Sequence, residues 1–341
     1  MSETLADIGE FGLIRRIHEF LKKEGFQAPE VILGIGDDTA SFQPRAGYNV
    51  LVTCDCLVEG RHYLPDYITP SDLGRRAMAI NISDIGAMGG RPLYALVSLG
   101  LKSDTPVADV EAMYHGFCME LNPFKASIIG GNLTKMEDII FIDITLIGEV
   151  KQGKIMLRST ARVEDAILIT GYPGQAAAGL HLLSRSQSTE DLREHPLARA
   201  YISPSHRAKE GWRIGQSGVA TAMIDTSDGF LGDLGHICKE SGVGAVLIQE
   251  KFPISEDLRQ TAAQLKLDPY ELFLQESDDY ELIFTCSPDK VSQIRSVIAS
   301  VSDVPVTEVG KITETVGNIQ LRLPDGTTRR ITPSGWDHFT T

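Results

Sequence analysis

The sequence predicts a mixed α/β protein in two parts. Three observations point there. Apolar residues switch repeatedly between helical spacing and two-residue alternation. Segments of the two kinds alternate along both halves of the chain. A polar, irregular stretch at 152–162 separates the halves, so the domains are expected to run from 1 to 151 and from 152 to 341. A chain of 341 residues has room for two ordinary domains.

In the first half, Glu10–Lys23 reads as an amphipathic helix, with Leu13, Ile14, Ile17, Phe20 and Leu21 at helical spacing. The glycine-rich turn Gly34-Ile35-Gly36-Asp37-Asp38 precedes a strand over Asn49–Leu57. Ser71 reads as the N-cap of a helix that stops at Met88-Gly89-Gly90-Arg91-Pro92. A strand over Tyr94–Leu101, a helix over Val107–Leu121 and a long strand over Ile139–Val150 follow. In the second half, a strand over Ala166–Thr170 enters the loop Gly171-Tyr172-Pro173-Gly174 and a helix over Gln175–Ser184. Arg185–Arg199 reads as a polar, flexible connection. A strand over Val219–Ile224 runs into Asp225-Thr226-Ser227-Asp228-Gly229 and a helix, and Tyr280–Cys286 reads as the last strand. No short-period repeat or low-complexity segment interrupts this order.

Composition narrows the function. Apolar residues make up 42% of the chain and charged residues 23%, values normal for a globular protein. No apolar run has the length of a membrane span, and the first residues lack the basic and apolar regions of a signal peptide. The five scattered cysteines (Cys54, Cys56, Cys118, Cys238 and Cys286) read as reduced thiols, which predicts a cytoplasmic protein. Cys54 and Cys56 read as small buried hydrophobes of a strand rather than as reactive thiols. A net charge of −14 excludes nucleic acid and anionic membranes as natural partners.

The positions of the acids say more than their number. On the helix from Ser71 to Met88, Leu73, Ala77, Ile80, Asp84 and Ala87 share one stripe, and Met78, Ile82 and Ile85 make a neighbouring face apolar. Asp84 therefore stands as a carboxylate in a helix expected to be largely buried, where it needs a cation or a salt bridge. Arg75, Arg76 and Arg91 are the candidates for the second, and both readings stay open. Asp37 and Asp38 follow a tight turn, and Thr53 and Asp55 point to one side of a strand. Asp225 and Asp228 flank a strand-to-helix turn, a common ligand position in α/β folds. Taken singly, Asp37 is readable as a turn residue and Asp228 as a helix cap. Jointly they describe aspartates on separate loops, which suits magnesium ions shared with a polyphosphate. There is no Gly-x-x-x-x-Gly-Lys-Ser/Thr motif and no protein-kinase signature set, so a P-loop enzyme is excluded.

These segments resemble the thiamine monophosphate kinase family, which is related to aminoimidazole ribonucleotide synthetase. The matching stretches run nearly end to end: Gly9-Glu10-Phe11-Gly12-Leu13-Ile14, Ile35-Gly36-Asp37-Asp38-Thr39-Ala40, and Thr53 to Tyr63. Asn81-Ile82-Ser83-Asp84, Gly130-Gly131-Asn132, Asp225 to Gly229, Asp279-Tyr280-Glu281-Leu282 and Gly335-Trp336-Asp337-His338-Phe339 continue the series. The resemblance implies a two-domain fold like that of aminoimidazole ribonucleotide synthetase, with an N-terminal domain that pairs in a homodimer and a C-terminal α/β domain. It implies ATP-dependent phosphorylation of thiamine monophosphate to thiamine diphosphate by magnesium-assisted in-line transfer. Carried over by position, Asp38, Thr53, Cys54, Asp55, Asp84, Asp225 and Asp228 fall where the family binds magnesium, with Asp84 and Asp228 the catalytic pair. Tyr114, Gly131, Asn132, Arg158 and Ser227 fall at nucleotide positions, and His62, Asp278 and Trp336 at positions for the thiamine substrate. Arginine suits bidentate phosphate contact and tryptophan suits stacking on a heterocycle.

The chain departs from the family in four places. Cys54 replaces a usual Thr, and Asn132 stands where Asp is common, as Ser203 stands where Arg is. Glu276-Ser277-Asp278 replaces Gly-Gly-Glu, which removes two glycines beside the expected thiamine pocket. Selenophosphate synthetases and hydrogenase maturation proteins share the superfamily but are expected to carry cysteines near the start or at the end, and this chain has neither. A nucleotide-binding protein without turnover, a related ATP-dependent enzyme acting on another phosphorylated metabolite and a metal-dependent phosphohydrolase remain as alternatives.

Overall fold

The computed structural model describes residues 3–25, 31–35, 39–186 and 190–333. Asp37, Asp38 and Trp336 lie outside the described residues. The chain divides into two compact units, Met1–Ile85 with Arg91–Gln152, and Gly86–Gly90 with Gly153–Thr341.

The first unit runs α1 (Leu5–Lys23), β1 (Val31–Leu33), β2 (Ser41–Phe42), β3 (Tyr48–Val58), α2 (Pro70–Ala87), β4 (Arg91–Leu101), α3 (Val107–Leu121), β5 (Ser127–Lys135) and β6 (Phe141–Lys151). Its sheet has the order β3-β6-β4-β5, with β4 and β5 parallel and the other pairs antiparallel. Helix α2 lies against one face of it, where Ile85 meets Gly148 and Asp84 meets Thr53. On β3 the alternate positions Val50 and Val52 point away and remain 43% and 65% exposed.

The first turn of α2 is held by Thr69 rather than by the expected Ser71. The Thr69 hydroxyl oxygen accepts the Asp72 N–H at 3.1 Å, and Pro70 occupies the first helical position, where it lacks only an orphan donor. The helix is as buried as its apolar faces require, with Met78, Ile82 and Ile85 at 0–1% exposure. It crosses α3 at two glycines. A Cβ on Gly74 would sit 2.1 Å from the Met113 carbonyl oxygen, and one on Gly116 would sit 2.2 Å from that of Ser71. Strand β5 has no counterpart among the expected elements. Gly130, Gly131 and Asn132 are poor strand formers, and pairing with β4 overrides them.

The second unit runs β7 (Ala166–Thr170), α4 (Gln175–Ser184), α5 (Pro196–Ile202), α6 (Ala208–Ser217), β8 (Ala222–Asp225), α7 (Phe230–Ser241), β9 (Gly244–Ile248), α8 (Glu256–Leu265), α9 (Pro269–Leu274), β10 (Leu282–Cys286), α10 (Val291–Ala299), β11 (Val306–Thr313), β12 (Ile319–Arg322) and β13 (Thr328–Ile331). These strands form one sheet in the order β13-β12-β9-β11-β7-β10-β8. Its two faces carry separate cores, Ile167, Ile169, Ile224 and Ile283 with α7 on one, and Leu168, Met223 and Phe284 with α10 on the other. Strands buried on both faces read as unbroken apolar runs, which is why β7 and β10 stand out in the sequence. Three strands follow β10, contrary to the expectation that it is the last. Their apolar positions are interspersed with Thr, Glu, Lys and Arg, which masks them. The expected flexible connection is also shorter, because Pro196 starts α5 and the His195 ring accepts the Leu197 N–H.

Three turns of this unit are tied together around buried Glu281. Its carboxylate accepts the Thr170 hydroxyl at 2.5 Å and two guanidinium N–H groups of Arg207 at 2.6 and 2.5 Å. Its backbone exchanges two hydrogen bonds with Thr226, whose N–H donates to the Glu281 carbonyl and whose hydroxyl accepts the Glu281 N–H. The preceding residues clamp the start of α4. Asp279 accepts the N–H groups of Gly174 and Ala176, and the Ser277 hydroxyl accepts that of Ala177. Residues 276 and 277 need no positive φ; only Tyr280, at +53°, adopts it here. Serine therefore replaces a family glycine without distorting the loop, and supplies an acceptor that glycine lacks.

The Gly74→Ala variant is expected to lose about 1–3 kcal/mol of stability, read as a lowered midpoint in chemical unfolding. Arg207→Met strands the Glu281 carboxylate, so a loss of about 3–5 kcal/mol is expected, with part recovered when Glu281→Gln is added. Burial raises the Asp279 carboxyl to about 6 in the folded chain. The folded state then holds a proton that the unfolded state releases at lower pH. The contribution of this group is full below the ordinary carboxylate range and is lost as pH rises through about 6. Comparison of Asp279→Asn with the unchanged chain in urea should therefore show a larger destabilisation at pH 4.5 than at pH 7, at about those two values.

Candidate active site

In the first unit an acidic group forms where β3 faces α2. Thr53 and Asp55 are two apart on a strand, and Asn81 and Asp84 are three apart on a helix, so each pair presents one face to the other. The Thr53 hydroxyl donates to the Asp84 carboxylate. The Asp55 N–H donates to the Asn81 side-chain oxygen at 3.1 Å, and the Asn81 amide in turn donates to the Ala77 carbonyl. Asn81 is fully buried, whereas Asp55 is exposed and Asp84 half-buried. Asp84 is thus less buried than the stripe implied, because it lies on the side of α2 that meets β3. Of its candidate arginine partners, Arg75 and Arg91 form ion pairs with Glu120 and Glu149.

The second unit builds another group at the end of β8. Asp225 is buried at the last strand position, Ser227 is exposed, and Asp228 is half-buried just before α7. From inside α7, Asp233 accepts the N–H groups of both Ser227 and Asp228 at 3.1 Å. One ligand atom from each of Asp228, Asp233 and His236 lies within 4.8 Å of the others. Burial and the neighbouring carboxylates of Asp225 and Asp228 push the Asp233 carboxyl well above the usual range. Such crowding of like charges is relieved by a cation. Thr53, Asp55 and Asp84 in one group, and Asp225, Ser227 and Asp228 in the other, offer carboxylate and hydroxyl oxygens, the set that magnesium prefers, so the residues present fit that metal. Oδ2 of Asp233 is engaged by backbone N–H groups.

Other predicted positions sort clearly. The Cys54 thiol donates to Asp143 at 3.2 Å on the face of β3 opposite Thr53 and Asp55, so only its main chain is available to the acidic group. It is exposed and Cys56 is half-buried, against the expectation of buried thiols. Gly131 and Asn132 lie on β5, in register with Val97 and Ser98 of β4. Ser98 also lies opposite Asp143, and Asp143 opposite Cys56, so Asn132 ends a polar row on the sheet face away from Asp55. Tyr114 is buried against Phe117, with 4% of its surface exposed, which leaves little of its ring for a nucleotide. The Nδ1 atom of His62 accepts the Val58 N–H at 3.0 Å, which leaves Nε2–H as the donor of the neutral ring.

In the second unit, Arg158 is exposed, with its carbonyl tied to the Ser241 hydroxyl. Asp278 sits between the clamping residues Ser277 and Asp279 and is half-buried. Asp38 and Trp336 fall outside the described residues. Asn81, Asp233 and His236 are absent from the set that the sequence singles out. The first lies three residues before Asp84 on the same helix, which is the signal that would have found it. Asp233 and His236 lie five and eight residues after Asp228, which itself precedes α7, so no helical spacing joins them to it.

Comparison with known proteins follows this layout. Residues 36–150 match the AIR synthase related protein N-terminal domain, and residues 162–321 match the corresponding C-terminal domain. The thiamine-monophosphate kinase of Aquifex aeolicus is 32% identical over 335 residues, which span 98% of this chain and 99% of that one. Among solved structures, the thiamine-monophosphate kinase of Stenotrophomonas maltophilia superposes with a TM-score of 0.81 at 32% identity, over 94% of this chain and 97% of that one. AaThiL complexed with AMPPCP and TMP superposes with a TM-score of 0.76 at 32% identity, over 99% and 100%. Two domain matches in the right order, with kinase relatives along nearly the whole length, mean that the chain belongs to the AIR synthase related family, in its thiamine-monophosphate kinase group.

Proposed function

We propose that this protein transfers the γ-phosphoryl group of ATP to the phosphate of thiamine monophosphate, giving thiamine diphosphate and ADP. The observation that carries the reading is the opposition of Thr53 and Asp55 to Asn81 and Asp84, which builds an oxygen-rich group from four positions of the kinase motifs. A relative of matching length binds AMPPCP and TMP, which agrees with a nucleotide triphosphate and a thiamine phosphate as co-substrates. An acceptor phosphate oxygen attacks the γ-phosphorus as the bond to the β,γ-bridging oxygen breaks. The attacking phosphate oxygen is already anionic at neutral pH, and the bridging oxygen leaves as part of ADP, so the protein needs no general base and works by alignment and charge compensation.

Asp55 and Asp84 in one unit, and Asp225 and Asp228 in the other, are the residues that would hold magnesium. When bound, the metal neutralises the polyphosphate charge. Arg158 has an exposed guanidinium for phosphate oxygens, and His62 has an Nε2–H for the same purpose. Asp278 offers a carboxylate to the cationic thiazolium. Because Ser277 and Asp279 clamp the loop on either side of it, the lost glycines do not argue for a protein without turnover.

The reading includes a cytoplasmic homodimer. Among the described residues no helix is long and apolar enough to cross a membrane. The sheet of the first unit ends in β3, with Val50 and Val52 exposed on the face opposite α2, and a second copy would cover them.

Incubation of the purified protein with Mg-ATP and thiamine monophosphate, followed by phosphorus NMR, is expected to show thiamine diphosphate with one ADP per turnover. ADP with free phosphate instead would make it a hydrolase. Asp84→Asn is expected to lower turnover roughly a hundredfold or more while the circular dichroism is unchanged. Full activity in that variant would assign Asp84 a purely structural part.

A further inference from the structure

We propose that Asp233 is a positioning residue of the second acidic group, fixing the path of the turn that presents Ser227 and Asp228. The inference rests on the reading that Asp225 and Asp228 hold the metal. Asp233 is 1% exposed, and a single carboxylate oxygen, Oδ2, accepts two consecutive backbone N–H groups, those of Ser227 and Asp228. This is not helix capping. In a capping box a side chain from the third helical position reaches back to the N-cap N–H. The N-cap of α7 is Gly229 and Asp233 is its fourth residue, so its two hydrogen bonds go beyond the helix to the residues before the cap.

Two consecutive N–H groups on one oxygen fix the planes of two consecutive peptides, Thr226–Ser227 and Ser227–Asp228. The directions of the Ser227 hydroxyl and the Asp228 carboxylate follow from those planes. Thr226, one residue earlier, is held by Tyr280 and Glu281, which join it through three hydrogen bonds. One residue later, Gly229 has φ +106°, and a Cβ there would lie 2.4 Å from the Gln275 carbonyl oxygen. That position carries no side chain to steady the turn. Between these fixed points the buried carboxylate is the anchor from the helix side, in the manner of an outer-shell partner that orients a metal ligand.

The test compares the full-length protein with Asp233→Leu, which removes the acceptor but fills the space, and with Asp233→Asn, which keeps one acceptor oxygen. Site-resolved amide hydrogen exchange without metal reads the turn directly, and the magnesium concentration for half-maximal turnover reads its consequence. Protected Ser227 and Asp228 amides are expected in the unchanged chain and in Asp233→Asn. In Asp233→Leu both should lose protection, and the magnesium requirement should rise about 10- to 100-fold, with Asp233→Asn near the starting value. Several results would overturn the proposal: protection that survives Asp233→Leu, equal loss in both variants, or lost protection without a change in magnesium requirement. Should Asp233→Leu fail to fold, free exchange of the two amides in the unchanged chain overturns it as well. If that chain makes no thiamine diphosphate, the kinase reading fails, while the exchange data still decide what Asp233 does.

Discussion

Like charges in a small space repel, and both units of this protein are built to hold them there. A carboxylate removed from water needs a counter-charge or hydrogen bonds, and several together raise one another's proton affinity. The first unit meets this constraint by placing its acids on regular elements whose spacing is set by backbone geometry, with the amide of Asn81 and the hydroxyl of Thr53 between them. The second unit has its acids on a turn, where no repeating geometry helps. There the backbone is held by Glu281 from one side and Asp233 from the other.

The two solutions explain what could be read from the chain. Thr53 with Asp55 and the intrusion of Asp84 into an apolar stripe were visible because strand and helix periods convert spacing into direction. The helices over Val107–Leu121 and Gln175–Ser184 and the strand over Ala166–Thr170 were legible to the residue, since burial on defined faces writes itself into the pattern. Strand β5 and the three last strands were not. Gly130, Gly131 and Asn132 weaken the signal of β5, charged and polar residues break up that of the last three, and pairing partners far along the chain decide their state. Asp233 was illegible for a related reason: a single acid on a helix looks like surface until the fold shows it buried.

The family departures also acquire physical meaning. Replacing glycine with Ser277 adds an acceptor for an otherwise orphan N–H at the start of α4, so the loop is held more firmly than glycine would hold it. Replacing threonine with Cys54 changes the side of β3 that faces away from the acids, where the thiol meets Asp143 and Thr145. Neither change removes an oxygen from the acidic groups.

Strand β3 carries opposite chemistries on its two faces, Thr53 and Asp55 on one and Cys54 and Cys56 on the other. A slip of one residue against β6 would exchange carboxylate and hydroxyl for two thiols beneath α2, and the chain would keep its outline while losing its hard-metal donors. The pairing of β3 with β6 runs through eleven consecutive positions, Tyr48 with Lys151 to Val58 with Phe141, without a bulge. The strand is longer than Thr53 and Asp55 require. Its length acts as an alignment gauge, because every added rung makes the misaligned ladder less competitive.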